Sequence, residues 1–192
     1  KISVVIPTYN EEKFIEKCLA ALSNQTLPRE SYEIIVSDSS STDRTVEIAK
    51  KFADKVVVCK KVSAGFGRNF GAKHAKADLL AFTDADSIVS STWLEGAVEE
   101  LKNADGTTGP ISSVEKDSLL FRIFFKLWGI QSKASVALKV PVLPGYNIAV
   151  KKSVFEKLHG FSEKNITVED IDLGLRLKKI GKISFSEKMK VK

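Results

Sequence analysis

The sequence predicts a single α/β domain on a mostly parallel, Rossmann-like central sheet with helices on both faces, and three observations carry that expectation. Apolar runs at Ile2–Pro7, Glu33–Ser37, Val56–Cys59 and Leu79–Thr83 alternate with stretches of helical spacing, the rhythm of βαβ units. The runs are apolar rather than alternately polar, as expected of strands covered on both sides. A length of 192 residues fits one domain with a sizeable core rather than two.

Taken in order, the first strand is followed by Phe14, Ile15, Cys18, Leu19 and Leu22 at helical spacing. Asn10 is read as the N-cap, with Glu11 and Glu12 suiting the positive helix end. The second strand runs into a polar loop, Asp38–Asp43, and Val46, Ile48, Ala49 and Phe52 mark the next helix. After the third strand a glycine-rich turn, Gly65–Gly71, leads into a short helix before the fourth strand. A helix follows at Thr92–Lys102. No clean alternation holds from Gly106 to Lys139; pattern resumes at Pro144–Ala149, with a helix near Ser153–Leu158. Ile171, Leu173, Leu175 and Leu177 alternate as a strand would, yet the acidic start at Glu169 and the stop at Gly181 favour a helix. The one domain, 1–192, thus divides into a half up to residue 104 and a half from residue 105.

The net charge of +6 suits an anionic ligand or an anionic membrane surface, and solvated lysine equally well. The charges are interspersed with no aromatic–basic stripe, which argues against nucleic acid. Cys18 and Cys59 are too isolated for a disulfide framework or a metal site and are expected to be reduced core residues, with a cytoplasmic location as the default. No signal peptide precedes Ile2. The chain also lacks an initiator methionine, so its first and last residues are read as boundaries rather than true termini.

Ligands of such sheets bind beyond the carboxyl ends of the strands. Thr8–Glu11, Asp38–Asp43, Gly65–Asn69 and Asp84–Asp86 all fall there, and four strand ends at one crevice outweigh any single motif. Strand alternation puts Asp84 and Asp86 on the same side, where two carboxylates can share a hard cation such as Mg²⁺ with substrate phosphates. Asp38 is equally compatible with a nucleoside contact and with a turn residue. Arg68, after two glycines and before a helix, would face a phosphate or simply solvent. Glu169, Asp170 and Asp172 form an acidic cluster that could accept a proton, though it also suits a helix N-terminus.

Val4–Glu11, Ile34–Asp43, Gly67–Asn69, Asp84–Asp86, Gly145–Asn147 and Glu169–Asp170 together resemble the motif series of family-two inverting glycosyltransferases with the GT-A fold, across nearly the whole chain. The resemblance implies a UDP- or GDP-sugar donor, a hydroxyl acceptor that is a glycan or lipid-linked, and Mg²⁺ or Mn²⁺ as cofactor. It implies that Pro7, Thr8, Tyr9, Asn10, Glu11, Asp38 and Ser40 line the nucleoside pocket and that Arg68 helps to hold base or diphosphate. Asp86 would ligate the metal, with Asp84 contacting the ribose or the metal's water shell and Ala85 among the nucleotide-binding residues. Gly145, Tyr146 and Asn147 would meet the donor or acceptor sugar. Asp170 would be the base of a single in-line displacement, with Glu169 orienting the acceptor or the loop. The second half then becomes an acceptor-side subregion.

Two features depart from the pattern. His159 stands where members often have a first glycine before Gly160 and Phe161, and no Gln-x-x-Arg-Trp of processive members occurs up to Lys192. The block Ser118–Ile130 is too short and too charged to span a bilayer, which needs about 20 apolar residues. On a helix its Arg122, Lys126 and Gly129 share one face, so a peripheral membrane contact or a lid over a lipid-linked acceptor competes evenly with a packing role. Three competing classes are weaker. A sugar-phosphate nucleotidyltransferase usually opens with a glycine-rich basic loop, where this chain has Pro7–Glu11. A phosphohydrolase places its Asp-x-Asp after the first strand, not the fourth. A non-catalytic membrane-associated nucleotide-binding module has no need of Asp84, Asp86 and Asp170 together.

Overall fold

The computed structural model describes residues 1–111, 143–163 and 169–192. In chain order the elements are β1 (Ile2–Thr8), α1 (Ile15–Ser23), a 3₁₀ turn (Arg29–Ser31), β2 (Tyr32–Asp38), α2 (Thr45–Ala49), β3 (Lys55–Val58), α3 (Ala64–Ala72) and β4 (Leu79–Phe82). There follow α4 (Trp93–Glu100), β5 (Gly106–Thr108), β6 (Ile148–Lys151), α5 (Lys152–Lys157), α6 (Glu169–Ile180) and β7 (Ile183–Phe185). The strands form one 7-stranded sheet in the order β3-β2-β1-β4-β6-β5-β7. β1, β2, β3 and β4 are mutually parallel, β6 runs antiparallel to both β4 and β5, and β7 is parallel to β5.

Strand alternation sorts the apolar runs into two cores. Ile2, Val4, Ile6, Ile34, Val36 and Ala81 face α1 and α4, where Ile15, Cys18, Leu19, Leu22, Trp93, Leu94 and Ala97 pack. Val5, Ile35, Leu80 and Phe82 face the other way, against Ala72 of α3, Phe155 of α5, and Leu173 and Leu177 of α6. The spacing of Ile15, Cys18, Leu19 and Leu22 is i, i+3, i+4, i+7, so one stripe of α1 is buried. Both cysteines are buried free thiols, as expected.

Two expectations change. The glycine-rich stretch is not a turn before a helix; it is the helix α3, capped by Ser63, whose Oγ accepts from the Phe66 amide at 3.1 Å. Its glycines serve close packing: a Cβ at Gly71 would lie 2.5 Å from Val5 Cγ1, so the helix axis sits against β1 in a way no larger residue allows. Asn10 does not cap α1, which starts at Ile15; Asn10 has φ of 56° and sits in the preceding turn. The alternating leucines belong, as expected from the acidic start and the glycine stop, to a helix: α6 buries Leu173 and Leu177, four apart, and leaves Ile171 and Leu175 at 38% and 42% exposure. His159, at φ of 59°, occupies backbone space that glycine takes without strain, which accounts for a glycine being usual there.

The apolar block Leu119–Ile130 lies outside the described residues. Among the described residues, no helix is long and apolar enough to cross a membrane.

Candidate active site

β1 and β4 lie side by side in parallel register from Ile2↔Leu79 to Val5↔Phe82, so Pro7–Glu11 and Asp84–Asp86 leave the sheet at the same edge. Between them opens a cleft of about 300 Å³. Pro7, Thr8, Tyr9, Glu11, Asp84, Ala85 and Asp86 of the expected set line it. Beneath it the buried Cys18 thiol donates to the Asp84 carbonyl at 3.3 Å. Burial, reinforced by Asp84 and Asp86, pushes that thiol up to about 12, so it stays protonated as a floor.

The cleft concentrates negative charge. Burial, then Asp86, Asp84 and Asp43, raises Glu11 above the usual carboxylate range. The Asp86 side chain is exposed and makes no hydrogen bond or ion pair among the described residues. Among those no group of three or more His, Cys, Asp or Glu side chains is placed to enclose a metal alone. The exposed Asp86 and the partly buried Asp84, beside a raised third carboxyl, fit Mg²⁺ or Mn²⁺, which are commonly held by one or two carboxylates plus phosphate oxygens. A raised carboxyl binds protons more tightly in the folded than the unfolded chain, so its ionisation destabilises the fold above its folded pKa and is harmless below the unfolded value. Glu11→Gln is therefore expected to raise the thermal midpoint of the metal-free protein at pH 7 and to leave it unchanged near pH 4. A lowered midpoint at pH 7 would contradict this charge balance.

Three expected nucleoside residues do not line the cleft. Asp38 is fully buried and accepts from Thr8 Oγ1 at 3.1 Å, the Ser41 amide at 2.8 Å and Ser41 Oγ at 2.5 Å, the turn arrangement rather than an open carboxylate. Ser40, at φ of 62°, donates to the Cys59 carbonyl at 2.8 Å. Asn10 Oδ1 accepts from the Thr42 amide at 2.9 Å. Together with Thr45 Oγ1 on the Glu11 amide at 2.8 Å, these bonds hold the two strand-end loops against each other and so shape the cleft wall.

Arg68 is not a surface arginine. It is 4% exposed; Nη2 donates to Asp84 Oδ1 at 2.7 Å and Nη1 to Glu169 Oε1 at 3.3 Å. Its guanidinium carbon lies 5.3 Å from the Phe161 ring centroid. Gly145 rests on it: a Cβ there would approach that carbon to 2.7 Å. The Gly145 amide donates to Asp170 Oδ2 at 3.3 Å. Burial, then Asp170 and Asp84, pushes the Tyr146 phenol up to about 12, which keeps it a hydrogen-bond donor at neutral pH.

Asn147, expected at the donor or acceptor sugar, is bonded within the fold. Fully buried, it accepts from Trp93 Nε1 at 2.9 Å and donates to the carbonyls of Gly109 at 3.1 Å and Met189 at 2.9 Å, so both amide protons are spent on the fold. Asn147→Ala orphans an indole N–H and two buried carbonyls, with an expected cost of about 3 kcal/mol in urea unfolding. A cost below about 1 kcal/mol would show these bonds to be dispensable.

A protein-family model described as glycosyl transferase family 2 matches residues 3–159. This chain belongs to that family. The family-two domain is similar to the probable glycosyltransferase YdaM of Bacillus subtilis, 30% identical over 94% of this chain and 47% of YdaM. Glycosyltransferase AglE of Haloferax volcanii is 29% identical over 88% of this chain and 59% of AglE. The chain thus spans about half the length of the curated relatives it matches. Among solved structures, Staphylococcus aureus TarS 1-349 with UDP-GlcNAc has a TM-score of 0.79 at 22% identity, covering 97% of this chain and 56% of that one. Mannosyltransferase PcManGT of Pyrobaculum calidifontis, in complex with GDP-Man and Mn²⁺, has a TM-score of 0.79 at 23% identity over 99% and 55%. At such identities the likeness is one of fold, and the fold is GT-A.

The family-two cleft also contains residues the sequence did not single out: Ser39, Lys61, Val62, Ser63 and Ala64. Among the described lining residues Lys61 is the one cation, and its Nζ lies 3.6 Å from the centroid of the Tyr9 ring. Only the pair Lys60–Lys61 in an otherwise ordinary loop hinted at it.

Proposed function

We propose that this family-two domain takes a UDP- or GDP-sugar in the cleft between β1 and β4 and transfers the sugar, with inversion, to a hydroxyl acceptor. The observation that carries the reading is the position of Asp170. Its carboxylate hangs on the Gly145 amide beside Tyr146, whose phenol is also raised by Asp84, so a proton acceptor adjoins the acidic cleft. Residues 1–104 would form the donor half and 105–192 the acceptor half.

In this reading Pro7, Thr8 and Tyr9 flank the nucleoside, and Lys61 supplies positive charge at the mouth. Asp86 and Asp84 would hold Mg²⁺ or Mn²⁺, which when bound neutralises charge on the departing diphosphate. The Gly145 and Ile171 amides, one on each carboxylate oxygen, fix the Asp170 rotamer, and Tyr146 stays protonated beside it to orient an acceptor oxygen. Asp170 takes the acceptor hydroxyl proton as that oxygen bonds to the anomeric carbon from the face opposite the diphosphate. The carbon–oxygen bond to the diphosphate breaks, releasing the nucleoside diphosphate. A glycan or lipid-linked acceptor, met in the cytoplasm or at the cytoplasmic membrane face, fits the net charge of +6.

The test is product analysis. With Mn²⁺ and UDP-GlcNAc, UDP-glucose or GDP-mannose, the protein should release UDP or GDP and leave an inverted anomeric product. Release of pyrophosphate from a sugar phosphate and nucleoside triphosphate would instead establish a nucleotidyltransferase.

A further inference from the structure

We propose that Arg68 is a positioning residue that couples occupancy of the nucleotide cleft to the start of α6, where Asp170 sits. The proposal rests on the reading that the cleft takes a nucleoside diphosphate, and it assigns Arg68 a task other than holding base or diphosphate.

The geometry begins with an imbalance. One guanidinium, buried in α3, serves two carboxylates from separate parts of the fold: Asp84 after β4 and Glu169 at the first position of α6. The two ends differ in solvent access. The Asp84 side chain is 31% exposed and faces the cleft, whereas that of Glu169 is 12% exposed. Arg68 Nε is buried without a hydrogen-bond partner among the described residues. A buried N–H left unpaired is a cost, so the guanidinium is oriented for its two carboxylates rather than for its own complete satisfaction. A ligand drawing on Asp84 changes how much of Arg68 remains for Glu169, and Arg68 has little freedom to respond by moving outward. Phe161 lies against its guanidinium and Gly145 closes over it. Gly145 in turn holds Asp170 by its amide. The first two residues of α6 are therefore both tied to the guanidinium, Glu169 directly and Asp170 through one glycine.

Coupling needs an element whose state both ends bias. The first turn of α6 is that element, because breaking the Arg68–Glu169 pair strands a nearly buried carboxylate that must protonate or swing to solvent. Lysine at position 68 keeps the charge but is a point donor that cannot hold both carboxylates as a planar fork does.

Hydrogen exchange of the full chain with and without UDP and Mn²⁺, and GDP and Mn²⁺ in parallel, tests this. In the wild type, nucleotide should slow exchange roughly 10-fold in peptides covering residues 83–88 and also in those covering 169–176. Arg68→Lys should keep the first protection within about 3-fold and lose the second. Glu169→Gln should do the same and carries the test if Arg68→Lys does not fold, as judged by circular dichroism. The double variant should show no greater loss than either single one, since the pair acts as a unit. Nucleotide protection of 169–176 retained in a folded variant, or a loss of nucleotide affinity matching the loss of protection, overturns the proposal. Failure of both nucleotides to protect 83–88 in the wild type overturns the functional reading and the coupling with it. Protection of 83–88 alone overturns the coupling only.

Discussion

Asp86→Ala is expected to abolish the Mn²⁺-dependent part of nucleotide binding. The Asp86 side chain is exposed and has no hydrogen bond or ion pair among the described residues, so its removal should leave the fold intact. What it removes is one of the two strand-end oxygen donors that a small divalent cation can use alongside phosphate oxygens. At a nucleotide concentration 100-fold above Kd, mass action stabilises the wild type by about 2.7 kcal/mol, on the order of 5–10 °C in the thermal midpoint of a domain this size. In Asp86→Ala that shift should shrink to what nucleotide gives without metal. Removing Mn²⁺ with a chelator should bring the wild type to the same level. Calorimetric binding with an unchanged Mn²⁺ dependence would remove Asp86 from the metal site.

Asp170→Asn should lower turnover by roughly 10²- to 10⁴-fold, the usual contribution of a positioned acid–base group. Asparagine keeps the shape, and its one carbonyl oxygen can still accept from the Gly145 amide at the expense of the Ile171 amide on the other oxygen, so the loop that carries Tyr146 should stay in place. Nucleotide affinity should remain within a few-fold of wild type, in contrast to Asp86→Ala. Glu169→Gln should cost less, because Glu169 is bonded to Arg68 at low exposure rather than open to an acceptor. If Asp170→Asn transfers normally while Asp172→Asn does not, the proton goes to a different carboxylate. Asp172 has a competing commitment, an ion pair with Arg176 one helical turn on.

The sheet was legible because its central strands are covered on both faces, which makes Val4, Val5 and Ile6 continuously apolar and leaves little ambiguity over what they are. The convergence of strand-end motifs was legible for the same reason: parallel strands put their carboxyl ends on one edge. Helix α3 was misread because Gly65, Gly67 and Gly71 lower helix propensity, while the contact with Val5 and Ser37 that requires a small residue at Gly71 comes from strands far off in sequence. Asp38 shows a different limit. A strand-end acid followed by serines is the pattern both of a nucleoside contact and of a turn, and the bonds to Thr8 and Ser41 could not be read from either. Asn147 could be picked out as part of a motif but not for its bonds within the fold, since its partners Trp93, Gly109 and Met189 obey no local period. Arg68 could be picked out as a residue but not for its partners, because Glu169 stands 101 positions away.

The tie made by Asn147 has a consequence for the order in which the molecule becomes competent during synthesis. β1 to β4, with both wings of the nucleotide cleft, are complete by Asp86, and their strands are neighbours in the sheet. The remaining strands add outward from β4, first β6, then β5, then β7. Closure requires the Met189 carbonyl, 42 positions after Asn147, and Val191, which bridges to both Val89 and Ile111. Contacts distant in sequence close long loops and are the slower to form. Both walls of the cleft therefore lie in the chain well before the strand that follows the Gly145 loop, and before Asp170. In the proposed reading, the donor side of the site is thus encoded ahead of the group that would accept the proton.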